Sequence, residues 1–80
     1  MFKILTTPRK GVSEETALRV AEEAARKLGI TISEHEYRHK SRQLTIKVED
    51  KELVTLRRYT MTLRVKHSAT FTSVSAAKEA

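Results

Sequence analysis

Residues 13–29 carry the strongest structural signal in this chain, because residues that start and end helices bracket an apolar stripe. Ser13 can accept hydrogen bonds from the first-turn amides, and Gly29 can adopt the left-handed conformation that ends a helix. Glu14 and Glu15 follow the cap, where the helix dipole favours negative charge. The apolar residues recur at intervals of three and four: Ala17, Leu18, Val20, Ala21, Ala24, Ala25 and Leu28. A helix with one apolar face needs a partner layer, so the rest of the chain must supply a sheet.

The length of 80 residues provides one modest hydrophobic core, so we expect a single domain over residues 1–72 and a flexible tail over residues 73–80. The sequence contains no cysteine, which excludes disulfides, thiolate metal sites and thiol nucleophiles. No apolar run approaches the length of a membrane span, so we expect an intracellular, cytoplasmic protein without a membrane partner. No cofactor-binding motif is present, and no cofactor is expected.

Strands are predicted on both sides of the helix. Residues 2–6 form the first strand, and residues 7–11 form a basic, glycine-containing loop before the helix that could bind an anion. Residues 30–39 and 42–49 are rich in β-branched side chains and alternate between apolar and polar types, which predicts a hairpin. Its turn is placed at residues 40–41, although neither is a preferred type for a two-residue loop.

Residues 50–67 fit two structures. Their alternation favours a strand, with apolar side chains at Tyr59, Met61, Leu63 and Val65. Alternatively, Asp50 caps a short helix to about Tyr59, and a strand follows over residues 60–67. The first structure gives a βαβββ meander and the second the ferredoxin-like βαββαβ arrangement. The meander is preferred because the threonines of this segment are poor helix formers. Either way we predict an α+β fold, with one long helix packed on a small, mainly antiparallel sheet.

The net charge of +6 is concentrated in residues 38–67, which contain nine basic and three acidic residues. If the apolar side of the sheet faces the helix, Lys47, Arg64 and Lys66 project together from its other side. The candidate polyanion-binding residues are Arg38, Lys40, Arg42, Lys47, Arg57, Arg58, Arg64 and Lys66. We therefore expect a small non-catalytic protein that contacts nucleic acid or another polyanion through a basic sheet face.

A second hypothesis is a protein-protein interaction module that docks on an acidic partner or forms a homo-oligomer through an exposed sheet edge. Inhibitors and assembly factors of phage or mobile-element type are often small proteins of this kind. Aromatic residues are few, and no pattern typical of RNA-binding or zinc-finger modules is present. Nucleic-acid binding should weaken steeply with salt, whereas an apolar protein contact should survive moderate salt.

A third, minor hypothesis is a zinc metallohydrolase, because the chain contains the HExxH signature. The motif consists of His35, Glu36, Tyr37, Arg38 and His39. On a helix, two histidines at this spacing converge on one metal, and the glutamate acts as general base. On a strand, however, His35 and His39 lie about 13 Å apart, too far to share one zinc. The β-branched residues before the motif favour a strand, so we expect neither a metal site nor enzyme activity.

Overall fold

The computed structural model describes residues 2–49 and 52–78. Within them the elements follow the order β1 (Phe2–Pro8), α1 (Glu14–Lys27), β2 (Ile32–Arg38), β3 (Gln43–Val48), α2 (Leu53–Val65) and β4 (Phe71–Lys78). The strands form one antiparallel sheet in the order β2-β3-β1-β4, and both helices pack on it. The predicted α+β fold with a small antiparallel sheet is therefore confirmed. Of the two predicted arrangements, the chain adopts the alternative one, βαββαβ.

The helix α1 begins and ends where its sequence signals predict. The Ser13 hydroxyl accepts a hydrogen bond from the Thr16 amide at 3.2 Å, and acidic residues fill the first turn. After the helix, Gly29 has a φ of 72°, the left-handed conformation expected of a terminating glycine. The buried residues of α1 are the alanines of the predicted stripe, namely Ala17, Ala21, Ala24 and Ala25. Local signals and packing therefore agree along the whole of α1.

The helices cover one face of the sheet, and the largest side chains of the core lie there. Ile4 on β1 pairs with Ile46 on β3, and both are fully buried. Thr6 is a buried polar residue of the same strand, and its hydroxyl donates a hydrogen bond to the Leu44 carbonyl at 2.8 Å. That bond removes the penalty of leaving a hydroxyl unsatisfied in the core. Buried and less buried positions alternate along β1 and β3, as expected for strands with one covered face, although buried Thr6 is polar and Leu5 on the open face is apolar.

Residues 53–65 form a helix, so the preferred prediction of a meander is wrong. The buried residues of α2 recur at helical spacing: Leu56, Tyr59, Thr60 and Leu63. Glu52 occupies the N-cap position without a capping side-chain hydrogen bond, and the predicted cap, Asp50, lies outside the described residues. The helix runs to Val65, beyond the predicted end at Tyr59, and residues 66–70 then turn into β4. Neither described helix is long and apolar enough to cross a membrane.

Tyr59 joins the two helices across the core. Its side chain is fully buried, and its hydroxyl donates a hydrogen bond to the backbone carbonyl of Ala21 at 2.7 Å. Burial raises the pKa of the Tyr59 phenol well above its ordinary value, and the negative charge of Glu22 raises it further. The phenol therefore stays protonated and keeps its donor role across the ordinary pH range.

The hairpin between β2 and β3 has a longer loop than predicted. β2 ends at Arg38 and β3 begins at Gln43, so the loop spans residues 39–42 rather than 40–41. Arg42 closes it with a φ of 52°, the left-handed conformation that the end of a longer hairpin loop often needs.

The part of the predicted tail that the structure describes, residues 73–78, belongs to β4. This strand pairs with β1 along its length, which extends β1 to Pro8. The side chains of Thr72 and Ser73 donate hydrogen bonds to the Thr7 carbonyl and hydroxyl, each at 3.0 Å. Arg64 of α2 donates to the Val74 carbonyl at 2.5 Å, which ties the helix to this outer strand. Small polar residues that resemble a frayed tail therefore form the edge of the sheet.

Candidate functional site

The face of the sheet opposite the helices, where a basic surface is predicted, carries charges of both signs. Lys47 Nζ lies 2.7 Å from the Glu34 carboxylate, and Arg38 Nε lies 3.2 Å from that of Glu36. The prediction that Lys47 shares this face with Arg64 and Lys66 is wrong, because those two residues belong to α2 and its C-cap. Lys3 of β1 also lies on this face, so its strands carry three basic and two acidic side chains there rather than a strongly basic surface.

The predicted polyanion-binding residues do not form one surface. Their positions follow from the strand order and from the helical conformation of residues 53–65. They fall into three groups: Arg38, Lys40 and Arg42 at the hairpin, Lys47 on the open sheet face, and Arg57, Arg58, Arg64 and Lys66 on or just after α2.

Three loops meet at one end of the sheet. In the observed register Thr6 pairs with Leu44 and with Val74, so β1 ends, β3 begins and β4 begins at this same end. The β1–α1, β2–β3 and α2–β4 loops therefore lie side by side. Arg9 connects two of them, because its amide donates to the Thr70 carbonyl at 2.8 Å and its Nε to the Ser68 carbonyl at 2.5 Å. We call residues 9–13, 39–42 and 66–70 the basic end.

The basic end contains five Lys or Arg residues and no acidic residue. Glu14 and Glu15 begin α1 at this end and offset two of those charges. At the other end of the sheet, the described residues of the loops are 28–31, Glu49 and Glu52, which include no lysine or arginine. The cations of the basic end, all of them exposed, are Arg9, Lys10, Lys40, Arg42 and Lys66. His39 and His67 add two imidazoles to these loops.

Sequence reasoning identified three of these five cations but not their grouping. The sequence predicts that residues 7–11 alone could bind an anion, and the structure places this loop beside Lys40, Arg42 and Lys66. His39 and His67 were not assigned to the site. The grouping of these cations could have been predicted from the βαββαβ arrangement, because its first, third and fifth connections lie at one end of the sheet. The preferred meander lacks the second helix, so it does not predict that these three connections lie together.

The histidine motif lies on β2 and the following loop, not on a helix. The register places His35 beside Ile46 on the helix side of the sheet, and Glu36 beside Thr45 on the open side. The His39 ring contacts the edge of the Tyr37 ring, with centroids 5.1 Å apart and planes at 88°. The structure therefore lacks the helical spacing that the zinc signature requires. Among residues 2–49 and 52–78, no three His, Asp or Glu side chains lie close enough to hold a metal ion.

The outward surface of α2 is apolar as well as basic. Every large hydrophobic side chain that is exposed in the described part of the chain lies on this helix, at Leu53, Val54, Met61 and Val65. Their exposed fractions are 50%, 67%, 55% and 65%, values that are ordinary for lysine or glutamate but not for an aliphatic row. Arg57 and Arg58 line the same shallow depression. We call Val54, Met61 and Val65 the outer stripe of α2.

Comparisons with protein-family models, with curated proteins and with solved structures find no match for this chain. A functional interpretation therefore depends on the charges and exposed surfaces of the described residues. Two surfaces stand out, the basic end and the outer stripe of α2.

Proposed function

We propose that this protein binds nucleic acid without sequence preference, through phosphate contacts made by the basic end. The observation that carries the proposal is the meeting of three loops that supply five lysines and arginines and no acidic residue. Lysine and arginine contacts to phosphate release counterions from the nucleic acid, and this release drives sequence-independent binding. Hydroxyls and backbone amides of exposed loops add hydrogen bonds to phosphate oxygens, and Ser41 and Ser68 lie among these cations.

The width of the basic end supports contacts to several phosphates at once. The β2–β3 loop and the start of β4 lie on opposite sides of the β1–α1 loop. Three strand spacings separate β2 from β4, which amounts to about 14 Å. A length of about 14 Å of duplex axis carries about eight phosphates, so cations spread over this width can engage several at once. Arg9 holds two of these loops in a fixed relation to each other, so less ordering of the loops is needed when they bind.

The composition of the open sheet face is an argument against stacking of bases on the sheet. In the described residues this face carries no aromatic side chain. Two of its ion pairs are Glu34 with Lys47 and Glu36 with Arg38, and Lys3 of β1 lies on the same face. Sheets that read single-stranded RNA stack bases on exposed aromatic rings. The proposed ligand contact is therefore the phosphate backbone of a duplex, approached by the loops and not by the face of the sheet.

The proposal is tested by titrating a fluorescently labelled DNA duplex with the full chain at a series of salt concentrations. We expect log Kd to change linearly with log salt, with a slope of about 0.9 for each phosphate contacted. The double variant Lys40→Gln/Arg42→Gln should lower that slope by about 2 and weaken binding equally for unrelated sequences. Arg26→Gln/Lys27→Gln is the matched control, because it removes the same charge from exposed residues at the other end of α1.

Two outcomes would contradict the proposal. One is binding that is absent at low salt or that does not respond to salt. The other is an equal loss of affinity in the hairpin variant and in the α1 control, which would mean that net charge matters and the basic end does not.

A further inference from the structure

The helix α2 carries apolar residues on two sides, and the sheet covers only one of them. Leu56, Tyr59 and Leu63 face the core. The outer stripe, Val54, Met61 and Val65, falls within an arc of about 40° on the outward side, because successive residues turn by about 100°. At about 1.5 Å per residue the stripe is about 16 Å long. A helix of a small domain has no structural need for this second stripe, since it stabilises nothing inside the fold.

Positive charge borders the stripe throughout. Arg57 and Arg58 lie between Val54 and Met61 along the helix, and Lys66 follows Val65. No acidic residue occurs from Leu53 to the end of the following turn at residue 70. Apolar patches bordered by polar residues mark protein interaction sites on soluble domains. The charge on this surface restricts which partner can cover it.

A second copy of the chain does not fit this surface. A two-fold contact between outer stripes would bring Arg57 and Arg58 of one molecule against the same residues of another, and like charges in a contact oppose association. A phosphate backbone alone does not fit either, because Val54 and Met61 offer it nothing to bind. The complement of an apolar row between cations is an apolar row between carboxylates.

From this complementarity we propose that the outer stripe of α2 is a docking surface for an acidic amphipathic helix of a partner protein. Such a helix presents apolar residues at spacings of three and four along one face, which matches the length and straightness of the stripe. Its carboxylates would pair with Arg57, Arg58 and Lys66. The surface shares Lys66 with the basic end but is separate from the β1–α1 and β2–β3 loops. The contact made by the outer stripe with Arg57 and Arg58 therefore does not depend on nucleic-acid binding.

A synthetic helical peptide tests the proposal. The probe carries leucines at positions i, i+4, i+7 and i+11 with glutamates on both sides, and a matched peptide has lysines in place of the glutamates. Binding to the full chain is measured by fluorescence anisotropy and mapped by amide chemical shifts. We expect the acidic peptide to bind and to shift the amides of α2. The substitution Met61→Glu should weaken it at least tenfold, whereas Thr31→Glu, which adds the same charge at an exposed turn beside β2, should not.

A charge exchange tests the electrostatic half of the proposal. The double variant Arg57→Glu/Arg58→Glu should lose the acidic peptide and gain the lysine peptide, because it reverses the charge of two exposed side chains beside the stripe. It also remains informative if Met61→Glu perturbs the helix. Circular dichroism of each variant reports whether the fold is intact.

Four results would overturn the proposal. The first two are equal binding of the two peptides, and binding of vesicles that contain phosphatidylserine but not of the acidic peptide. The other two are a dimer in sedimentation that Met61→Glu converts to monomer, and amide shifts confined to residues 9–13 and 39–42 of the basic end. Loss of the duplex but not of the acidic peptide in Lys40→Gln/Arg42→Gln would leave this proposal standing. Loss of the peptide but not of the duplex in Met61→Glu would separate the two surfaces in the other direction.

Discussion

The two helices lie on the same sheet but owe their structure to different causes. α1 has a capping hydroxyl at Ser13, acidic residues in its first turn and a terminating glycine, and its outward face is charged. α2 has no side-chain cap, no acidic residue in its first turn and several β-branched residues. Local signals determine where α1 begins and ends, whereas α2 depends more on the core contacts of residues such as Tyr59 and Leu63.

The outward faces of the two helices differ in how far folding explains their composition. The outward face of α1 is what an ordinary surface helix presents, with charges of both signs. The outward face of α2 combines Val54, Met61 and Val65 with arginines, and no intramolecular contact requires this composition. Residues that folding does not explain are the ones to examine for binding, and on this molecule they concentrate on α2 and in the loops of the basic end.

The largest effect is expected from removing the side chain that anchors α2. The substitution Tyr59→Ala deletes a fully buried ring and its hydrogen bond to Ala21. We expect the free energy of unfolding to fall by about 3–5 kcal/mol, as for other buried aromatic residues. Urea denaturation followed by circular dichroism measures this change. Tyr37→Ala, at a half-buried position on β2, should cost clearly less. Equal costs would mean that α2 is not held mainly through Tyr59.

The second effect concerns alkaline pH. Because the pKa of Tyr59 is raised in the folded state, the unfolded chain loses the phenolic proton first, at about pH 10. The stabilisation from the protonated phenol is therefore complete below about pH 10. It is lost above that, by up to about 1.4 kcal/mol per pH unit. The difference in unfolding free energy between the natural chain and Tyr59→Phe isolates this contribution from other titrating groups.

At neutral pH, Tyr59→Phe should lose only the hydrogen bond to Ala21, at a cost of about 0.5–1.5 kcal/mol. The natural chain should then lose that advantage as the pH rises past 10. A pH-independent difference for Tyr59→Phe would contradict the assignment of a buried, protonated phenol.

The smallest effects come from the caps. Ser13→Ala removes the hydroxyl that accepts from the Thr16 amide, and should lower the free energy of unfolding by about 1 kcal/mol. Glu52→Asp gives α2 a shorter carboxylate that can cap its first turn, and should raise the free energy of unfolding by up to about 1 kcal/mol. Thermal denaturation of both variants measures these changes. A stabilising Ser13→Ala, or no gain from Glu52→Asp, would remove the proposed contrast between the helix starts.

Sequence reasoning located α1 because cap, dipole and stripe agree there, and it located β3 because its alternation is regular. It missed α2 for a physical reason. Tyr59 and Leu63 lie at helical spacing, but Met61 and Val65 are also apolar, so the same four residues alternate like a strand. The two residues that complete the false alternation are the ones exposed on the outer stripe. Exposed apolar side chains on the outward side of α2 therefore produced a strand-like alternation in the sequence of a helix.

The candidate site was only partly predictable. The basic character of residues 38–67 is visible in the sequence, and Lys40 and Arg42 were placed together at the hairpin. The approach of Arg9 and Lys66 to them depends on strand order, which no local pattern encodes. Pairing partners such as Glu34, which neutralises part of the sheet face, also become known only from the register.

The bond between Arg64 and the Val74 carbonyl occupies one backbone acceptor of β4, an edge strand of the sheet. β4 is the outermost strand on its side, and residues 71–77 carry no charge that would repel a neighbouring molecule. At the opposite margin, charged side chains on β2 discourage added strands. The two margins of the sheet therefore differ, because β2 carries charged side chains that oppose an added strand and residues 71–77 of β4 carry none.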